Sequence, residues 1–454
     1  MSFLYSVIGF ILAIGVLVAV HEFGHFWVAR KLGVKVLTFS VGFGKPLWRK
    51  VAGPDNIEYV IARIPLGGYV KMLGEGTQGD GIPEHEAHRA FDNQAIWKRA
   101  CIVAAGPAIN FLFAILVFMA VGMFDQQRLI PVFGDIPENA LIAEAGIEAG
   151  DKLLAVDSRP VTTLFEHDLY IFNKVLKKQP VSLTIESNGK ISDVQISTEE
   201  IPIYRINPTS LMRLLGFVEV APPTSTKIER VEPGSPADLA GVQAGDEFIG
   251  LNGGPLETWS ELVRAVAPSA EKPMSFTILR NKSTFEAQIT PSAVQLGEQQ
   301  VGRLGVQRVF IPHPPEQIVT ISRGPVDALI HGARQTWEMS VLILRMLGKM
   351  VTLQVSHENV NGPLMIADVA GKAIQIGPET YLTFLALISI SLGVMNLLPI
   401  PMLDGGHLAS YVIEVFAGKN VAQRAFMMMQ PLGLLMLAGL MSLAFYNDIL
   451  RILN

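Results

Sequence analysis

The sequence predicts a multi-pass α-helical membrane protein with four transmembrane helices, a membrane-associated β-region and two copies of one α+β domain. Half of the 454 residues are hydrophobic and 17% are charged, a balance unlike that of ordinary soluble enzymes. Four apolar stretches are long enough to cross a bilayer about 30 Å thick. A seven-residue string recurs later in the chain almost unchanged, which indicates a repeated domain between the membrane segments.

The four predicted spans lie at roughly 3–28, 100–123, 378–398 and 426–446. The first has no positive side chain before its apolar core and no small-residue cleavage site after it. We therefore expect it to be retained instead of being removed as a signal peptide. Gln430-Pro431 interrupts the last span and is expected to kink it.

Basic residues in the connecting loops predict the orientation of the spans. Residues 29–100 carry eleven Lys and Arg against seven Asp and Glu, whereas residues 125–320 carry seventeen against twenty-five. Arg30-Lys31 and Lys98-Arg99 lie directly beside the first two spans. By the positive-inside rule the 29–100 loop is cytoplasmic, and the larger segment lies outside together with both termini.

Two imidazoles and a carboxylate occur at the end of the first span, in the string His21-Glu22-Phe23-Gly24-His25. On a helix, His21 and His25 lie one turn apart on the same face, close enough to bind one Zn²⁺, and Glu22 beside them can reach a metal-bound water. A chance motif on a surface is the alternative. Ionisable groups near the bilayer centre cost about 2.5–3.5 kcal/mol each on insertion scales, which favours a functional site.

A catalytic zinc ion usually has three protein ligands and one open position, so the chain must supply another ligand. The candidate is Asp404, in the string from Asn396 to His407 that closes the third span. Prolines break the helix there and Gly405-Gly406 frees the backbone to turn, so irregular structure can present Asp404 at membrane depth. His407 is a rival ligand, which we expect to support the site instead of binding the ion. The plainer alternative makes Asp404 a helix N-cap.

The loop after the first span contains alternating apolar runs at 34–42 and 57–64, followed by Pro65–Met72. Strands or hairpins are the expected form. If they lie against the membrane near the metal, an exposed edge containing Gly67, Gly68 and Tyr69 can accept an extended substrate as an added strand. A small surface sheet that only packs is the alternative.

The external segment contains the repeat. The string Ala145–Asp151 (A-G-I-E-A-G-D) recurs 95 residues later as Ala240–Asp246 (A-G-V-Q-A-G-D). This turn resembles the bacterial form of PDZ domains, and Leu215-Gly216-Phe217-Val218, before the second copy, resembles their carboxylate-binding loop. The resemblance implies that PDZ domain 2 captures a peptide or protein C-terminus, whereas the first copy lacks a comparable loop. A purely structural role for both domains is the alternative.

Residues 311–350 return the chain to the membrane. A stiff proline-rich linker precedes a helical stretch from Val326 to Val351, in which charged residues such as Arg334, Glu338, Arg345 and Lys349 lie among apolar ones. Those charges predict an interfacial helix instead of a fifth span. The predicted segments are 1–124 (first two spans and the cytoplasmic β-rich loop), 125–221 (PDZ domain 1), 222–310 (PDZ domain 2), 311–372 (linker and interfacial helix) and 373–454 (last two spans).

Three motifs together resemble the site-2 protease family of intramembrane zinc proteases. They are His21–His25 in the first span, Ala104–Asn110 (A-A-G-P-A-I-N) in the second and Asn396–Gly406 in the third. The resemblance covers essentially the whole chain. It implies that His21, His25 and Asp404 bind zinc and that Glu22 is the catalytic base. It also implies that one further turn, with Asn396, Pro399 and Pro401, holds the substrate backbone.

The same resemblance implies a biological setting. The substrate would be the transmembrane segment of a single-pass protein such as an anti-sigma factor, cut after another protease has shortened its outer domain. Signal-peptide remnants are further candidates. The setting is regulated intramembrane proteolysis in the envelope stress response, in the bacterial inner membrane, with periplasmic PDZ domains and an active site toward the cytoplasm. Zinc is the expected cofactor, the lipid bilayer is the expected surrounding, and no nucleic-acid partner is expected.

Two other functions remain open on the residues alone. A non-enzymatic, membrane-tethered PDZ scaffold with structural zinc would need neither Glu22 nor an open coordination position. A metal transporter would place charged residues along a path across the spans, and the single compact ligand set disfavours it. Replacing Glu22 by Gln separates the enzyme from the scaffold, because only the enzyme loses a reaction.

Overall fold

The computed structural model describes residues 2–75, 82–222, 225–296, 299–352, 354–355 and 362–453. Its helices are α1 (Ser2–Lys31), α2 (Ile96–Gly122), α3 (Leu141–Glu144), α4 (Asp168–Leu176), α5 (Pro208–Leu215), α6 (Pro236–Leu239), α7 (Trp259–Val266), α8 (Pro325–Val351), α9 (Pro363–Ile376), α10 (Pro378–Leu397), α11 (Asp404–Ala417) and α12 (Lys419–Leu453).

The strands are β1 (Val36–Ala52), β2 (Ile57–Met72), β3 (Gln126–Leu129), β4 (Lys152–Val156), β5 (Arg159–Pro160), β6 (Val181–Ser187), β7 (Lys190–Ile196), β8 (Ile228–Val231), β9 (Glu247–Leu251), β10 (Gly254–Pro255), β11 (Met274–Arg280), β12 (Ser283–Ile289), β13 (Ser292–Leu296), β14 (Gln299–Arg303), β15 (Val306–Arg308) and β16 (Ile318–Ile321).

Four helices in the described part of the chain are long and apolar enough to cross a membrane: α1, α2, α10 and α12. They match the four stretches that the sequence predicts, two of which extend one residue past the end of their helix. The last one continues through Pro431 without ending. The N-terminal helix α1 packs against α2 on one side and against α9 on another, and α10 contacts both α2 and α9.

Helix α9 is an element that the sequence analysis does not predict. It is 14 residues long and packs against α1 so closely that a side chain at Gly371 would meet the backbone of Ser6 at 2.6 Å. Its N-terminus is held by Asp448 of α12, whose fully buried carboxylate accepts backbone N–H bonds from Gly362, Leu364 and Met365 at 2.8–3.1 Å. A carboxylate at this position satisfies N–H groups that a helix leaves unpaired.

The predicted β-region is formed by two long, bent strands. The first half of β1, Val36–Val41, pairs with Gly68–Met72 on one side and with Glu58–Ile61 on the other. The second half of β1 pairs back onto β2, so two strands make a sheet of four segments. In the described part of the chain, Gly68–Met72 has no strand on its outer side. It is therefore a free sheet edge.

Two domains of the same topology follow α2. The first has the antiparallel order β5-β4-β6-β7 and the second has β10-β9-β11-β12. In each, the Asp of the repeated string closes its own turn: Asp151 accepts the backbone N–H of Glu148, and Asp246 accepts that of Gln243. Each domain has its own apolar core. The repeat therefore marks two independently cored α+β units.

The structure corrects the assignment of Leu215–Val218. Leu215 and Phe217 are buried in the core of the first domain, and the carbonyl of Val218 accepts the N–H of Gly134 from that domain's first segment. The second domain has its own equivalent at Leu304-Gly305-Val306, which pairs with β8. The sequence analysis attached the first string to the following repeat because it precedes that repeat in the chain. In the fold, each Leu-Gly-apolar string pairs with the first segment of the domain whose C-terminal end it forms.

Helix α8 joins the first domain to the membrane helices. It packs against α2 and α10, and its residues Met339 and Leu342 also extend the core of the first domain. Glu338 pairs with Arg159, and Arg345 donates to the side chain of Asn173. From the sequence, these charges are expected to face the lipid interface. In the structure, Glu338 and Arg345 have these two protein partners.

A bidentate ion pair distinguishes the second domain from the first. Arg280 donates to both carboxylate oxygens of Asp246 at 2.7 Å, and it also binds the carbonyl of Gly241 in the repeated turn. Burial alone would raise the pKa of Asp246, but Arg280 and the Gln243 N–H more than offset it, so the pKa lies below its ordinary value. At the matching end of β6 the first domain has Ser187.

We expect Arg280→Met to destabilise the second domain by about 2 kcal/mol at neutral pH, since it leaves a buried carboxylate without its cation. Because the pKa of Asp246 is lower in the folded state, its ionised carboxylate stabilises the fold at pH values above the unfolded-state pKa, about 3.9. This stabilisation disappears as the pH falls through the folded-state pKa. The difference between variant and parent should therefore vanish in acid. Hydrogen exchange of β9 and β11 in the full chain measures it. Equal loss of protection in β4 and β6 would contradict a local effect.

Candidate metal centre and active site

Three candidate ligands from distant parts of the chain meet at one point. Nε2 of His21 lies 3.3 Å from Nε2 of His25, and Oδ2 of Asp404 lies 3.3 Å and 3.5 Å from these two nitrogens. The histidines come from α1, and Asp404 is the first residue of α11. The structure thus brings together the three ligands predicted from the sequence.

The histidines reach this point because α1 and α2 approach without intervening side chains. A Cβ at Gly106 would lie 2.2 Å from Nε2 of His25, and a Cβ at Gly24 would lie 2.4 Å from the carbonyl oxygen of Ala105. Only glycine leaves room at either position. Nδ1 of His25 then donates to the carbonyl of Ile102 at 2.9 Å, which leaves Nε2 with its lone pair toward the cluster.

A tight turn between α10 and α11 places Asp404. The chain leaves the helix at Leu398, and a Cβ at Gly405 or Gly406 would lie only 2.2–2.4 Å from backbone atoms of residues 397, 398 and 400. Met402 adopts a positive φ of 89° within this turn. The Gly-Gly pair therefore lets the turn fold against the start of α11, and Asp404 is presented to the histidines without acting as the N-cap, which is Leu403.

The cluster fits a tetrahedral zinc ion. Bonds of about 2.0–2.1 Å at tetrahedral angles separate ligand atoms by about 3.3–3.4 Å, and the three observed separations are 3.3–3.5 Å. Oδ2 of Asp404 is buried and, among the described residues, has no hydrogen-bond partner besides its close contacts with the two histidines. A cation satisfies an acceptor in this position, which would otherwise be left unpaired at a cost. Two imidazoles and a carboxylate are also the donor set of known catalytic zinc sites.

A cavity of about 720 Å³ opens beside the cluster. Glu22 lies on its wall, one residue from His21 and outside the ligand cluster. Two further sequence-predicted residues, Gly68 and Tyr69 of the free sheet edge, line the same cavity. A Cβ at Gly68 would lie 2.9 Å from Cγ of Glu22, so the absence of a side chain lets the edge lie directly against the carboxylate.

Asn396, at the end of α10, also lines this cavity, with Nδ2 3.5 Å from Nε2 of His21. The other predicted substrate-binding residues are not on its wall: Gly67, Pro399 and Pro401. Gly67 supports the edge, because its φ of +132° and the adjacent Phe43 ring exclude a side chain. His407 lines the cavity outside the ligand cluster, with its ring 4.8 Å from that of Phe426.

The sequence analysis missed the polar wall of the cavity away from the ligands. Arg99 is buried, pairs with Glu414 at 2.7 Å and lies over the ring of Tyr411. From the loop charges, Arg99 is expected to be an interfacial charge beside the second span. The sequence signal for a partner is its place at the start of a long apolar run, because a buried arginine is almost always paired. Glu75, after β2, lines the same side of the cavity.

Comparisons with known proteins agree with this geometry. The sequence model of peptidase family M50 matches residues 9–440. The chain belongs to peptidase family M50. It is accordingly a site-2 metalloprotease, as the resemblance implied.

Two known proteins match this M50 peptidase over its full length. It is 38% identical to the Regulator of sigma-E protease RseP of Escherichia coli strain K12 over 456 residues, and 38% identical to the Protease RseP of Yersinia pestis over 455 residues. Each match covers 100% of both chains. The PDZ domain of an SdrC-like protein from Listeria innocua matches 20% of this chain and 99% of its own, with 14% identity and a TM-score of 0.17.

Proposed function

We propose that this M50 peptidase is a zinc-dependent intramembrane endopeptidase that cuts the transmembrane segment of a pre-trimmed single-pass protein, such as an anti-sigma factor. The observation that carries the proposal is the cluster of His21, His25 and Asp404, whose two histidines lie in a helix apolar enough to span a membrane, beside a cavity with a free sheet edge. Ionisable groups are costly in a membrane-spanning helix, and a water-soluble peptidase would not need metal ligands there. Their presence in such a helix supports a reaction within the membrane.

Zinc bound by these three residues would supply activated water at neutral pH and polarise the scissile carbonyl. Glu22 is the group that accepts the proton of the attacking water and returns it to the leaving amide nitrogen. Its carboxylate is free for this role because it belongs to the cavity wall and not to the ligand cluster. Asn396, beside His21, is positioned to donate to the substrate carbonyl oxygen as negative charge develops there.

The free edge Gly68–Met72 is the proposed holder of the substrate backbone. A helical substrate hides its peptide groups in internal hydrogen bonds, so a segment must unwind before attack. Strand addition to this edge replaces those bonds. The edge lies against Glu22 at Gly68, which would bring an added strand next to the proposed base.

The external domains are proposed to admit only shortened substrates. The first is tied through α8 to α2 and α10, and these two helices pack against α1 and α11, which carry the candidate ligands. In the second, the Leu304-Gly305-Val306 string is the candidate for capturing a trimmed C-terminus, with an additional strand along β15. We further propose, from the excess of basic residues in the 29–100 loop, that the domains lie in the periplasm and the active site toward the cytoplasmic face of the bacterial inner membrane.

The function is tested with the purified full chain and a membrane-spanning substrate. We expect cleavage of a substrate with a trimmed outer domain, slower cleavage of the same substrate with its outer domain intact, and no cleavage after treatment with a chelator. Zinc added back should restore the reaction. Hydrolysis that survives complete removal of metal would refute the proposed mechanism.

Helix stability of the substrate should control the rate. Replacing a Gly in the substrate span by Ala stabilises the helix by about 1 kcal/mol, so each change should slow cleavage by about fivefold if unwinding precedes attack. Initial rates for a series with one and two such replacements measure the effect. The matched control is the same replacement outside the span. Unchanged rates across the series would contradict the unwinding step.

A further inference from the structure

Asn110 is a fully buried polar residue in the second span that the mechanism does not use. Its side-chain nitrogen lies 3.1 Å from Nδ1 of His21, on the side of the ring away from the ligand cluster. Its side-chain oxygen is buried and has no hydrogen-bond partner in the described part of the chain. Asn110 lies one helical turn beyond Gly106, on the face of α2 that meets α1.

The two ligand histidines have matching contacts with α2. Nδ1 of His25 faces the carbonyl of Ile102, and Nδ1 of His21 faces the amide of Asn110, eight residues further along α2. A carbonyl can only accept, so it fixes His25 with the proton on Nδ1. An amide can do either, because its oxygen and nitrogen exchange places when the group turns by half a rotation.

We propose that Asn110 is a positioning residue, whose side-chain oxygen accepts the Nδ1–H of His21 and thereby keeps Nε2 free to bind the metal. This inference rests on the proposed metal centre. The opposite orientation would direct the amide N–H at Nδ1 and force a neutral His21 to carry its proton on Nε2, which points into the cluster. It would also leave the buried oxygen unpaired. With the oxygen toward His21, both histidines present lone pairs to one ion.

The position of Asn110 is fixed from its other side. Oγ of Ser389, a fully buried residue of α10, donates to the backbone carbonyl of Asn110 at 2.9 Å. Asn110 thus lies between the helix that carries the histidines and the helix that leads to Asp404. Because this hydrogen bond reaches the backbone carbonyl of Asn110 and not its side chain, removing the hydroxyl tests packing without changing the amide.

The test measures zinc affinity by chelator competition, and the absorption spectrum of bound Co²⁺, with the full chain in detergent. Asn110→Leu should weaken zinc binding about 10–100-fold, the usual effect of removing an outer partner of a ligand histidine. Asn110→Asp should keep the parent affinity within about threefold and the parent Co²⁺ spectrum, because a carboxylate can only accept. Ser389→Ala should leave both measurements unchanged.

Two results would overturn the assignment. One is parent-like affinity in a folded Asn110→Leu variant. The other is a loss in Asn110→Asp as large as in Asn110→Leu, which would mean that the amide donates or only fills space. If Asn110→Leu does not fold, the result for Asn110→Asp alone decides. Failure of the parent chain to bind zinc is a different outcome, because it refutes the metal centre itself.

Discussion

Glu22→Gln should reduce hydrolysis of a membrane-spanning substrate by about 10²–10⁴-fold while zinc stays bound. The Gln amide has nearly the size of the carboxylate but cannot accept the proton of the attacking water. Glu22 lies on the cavity wall outside the cluster of His21, His25 and Asp404, so the ligand set is unaffected. Cleavage rate and zinc content, measured on the same preparation, give the two values.

The control is Glu58→Gln, in the strand β2 whose Gly68 lies against Glu22, because Glu58 is paired with Arg49 and absent from the cavity wall. It should retain both activity and zinc. Near-parental hydrolysis by Glu22→Gln would remove the proposed base from the mechanism. Loss of zinc from Glu22→Gln would instead mean that the carboxylate supports the metal centre. A membrane-tethered scaffold with structural zinc would hydrolyse no substrate, so Glu22→Gln would change no cleavage rate.

The cluster of candidate metal ligands could be predicted because the information for it is mostly local. The spacing of His21 and His25 fixes their common helix face, and the apolar residues before them place that face in a span. Asp404 is 379 residues further along, and its prediction needed the Pro and Gly residues that force a turn at the end of a span. The turn is visible in the sequence. Its contact with α1 is a property of the folded bundle.

Elements whose positions depend on partners were harder to predict. The charges of α8 suit a lipid interface equally well, and only the fold shows that Arg345 faces Asn173. Chain order suggested that Leu215–Val218 belongs to the repeat that follows it, whereas backbone pairing puts it with the preceding domain. Asn110 reads as an ordinary interhelical hydrogen-bonding residue in the sequence. Its importance depends on which atom of which ring it meets.

Asp404→Ala should abolish zinc binding at concentrations that saturate the parent, and with it all hydrolysis. Two histidines alone make an incomplete site, and the carboxylate is the anionic ligand of the set. The turn itself should survive, because Gly405 and Gly406, not the carboxylate, allow the close backbone approach. The substitution also removes a buried oxygen that, within the described part of the chain, has no hydrogen-bond partner.

Thermal unfolding with and without zinc distinguishes loss of metal from loss of fold in the Asp404→Ala variant. A ligand that binds only the folded state stabilises it by about 2.7 kcal/mol at a hundred times its dissociation constant. Zinc should therefore raise the unfolding temperature of the parent and leave that of Asp404→Ala unchanged, while the two metal-free proteins unfold alike. His407→Gln, on the same cavity wall but outside the cluster, should keep the zinc-dependent shift. If His407→Gln lost that shift and Asp404→Ala kept it, His407 would be the third ligand, and the turn after α10 would have to rearrange to bring it to the histidines.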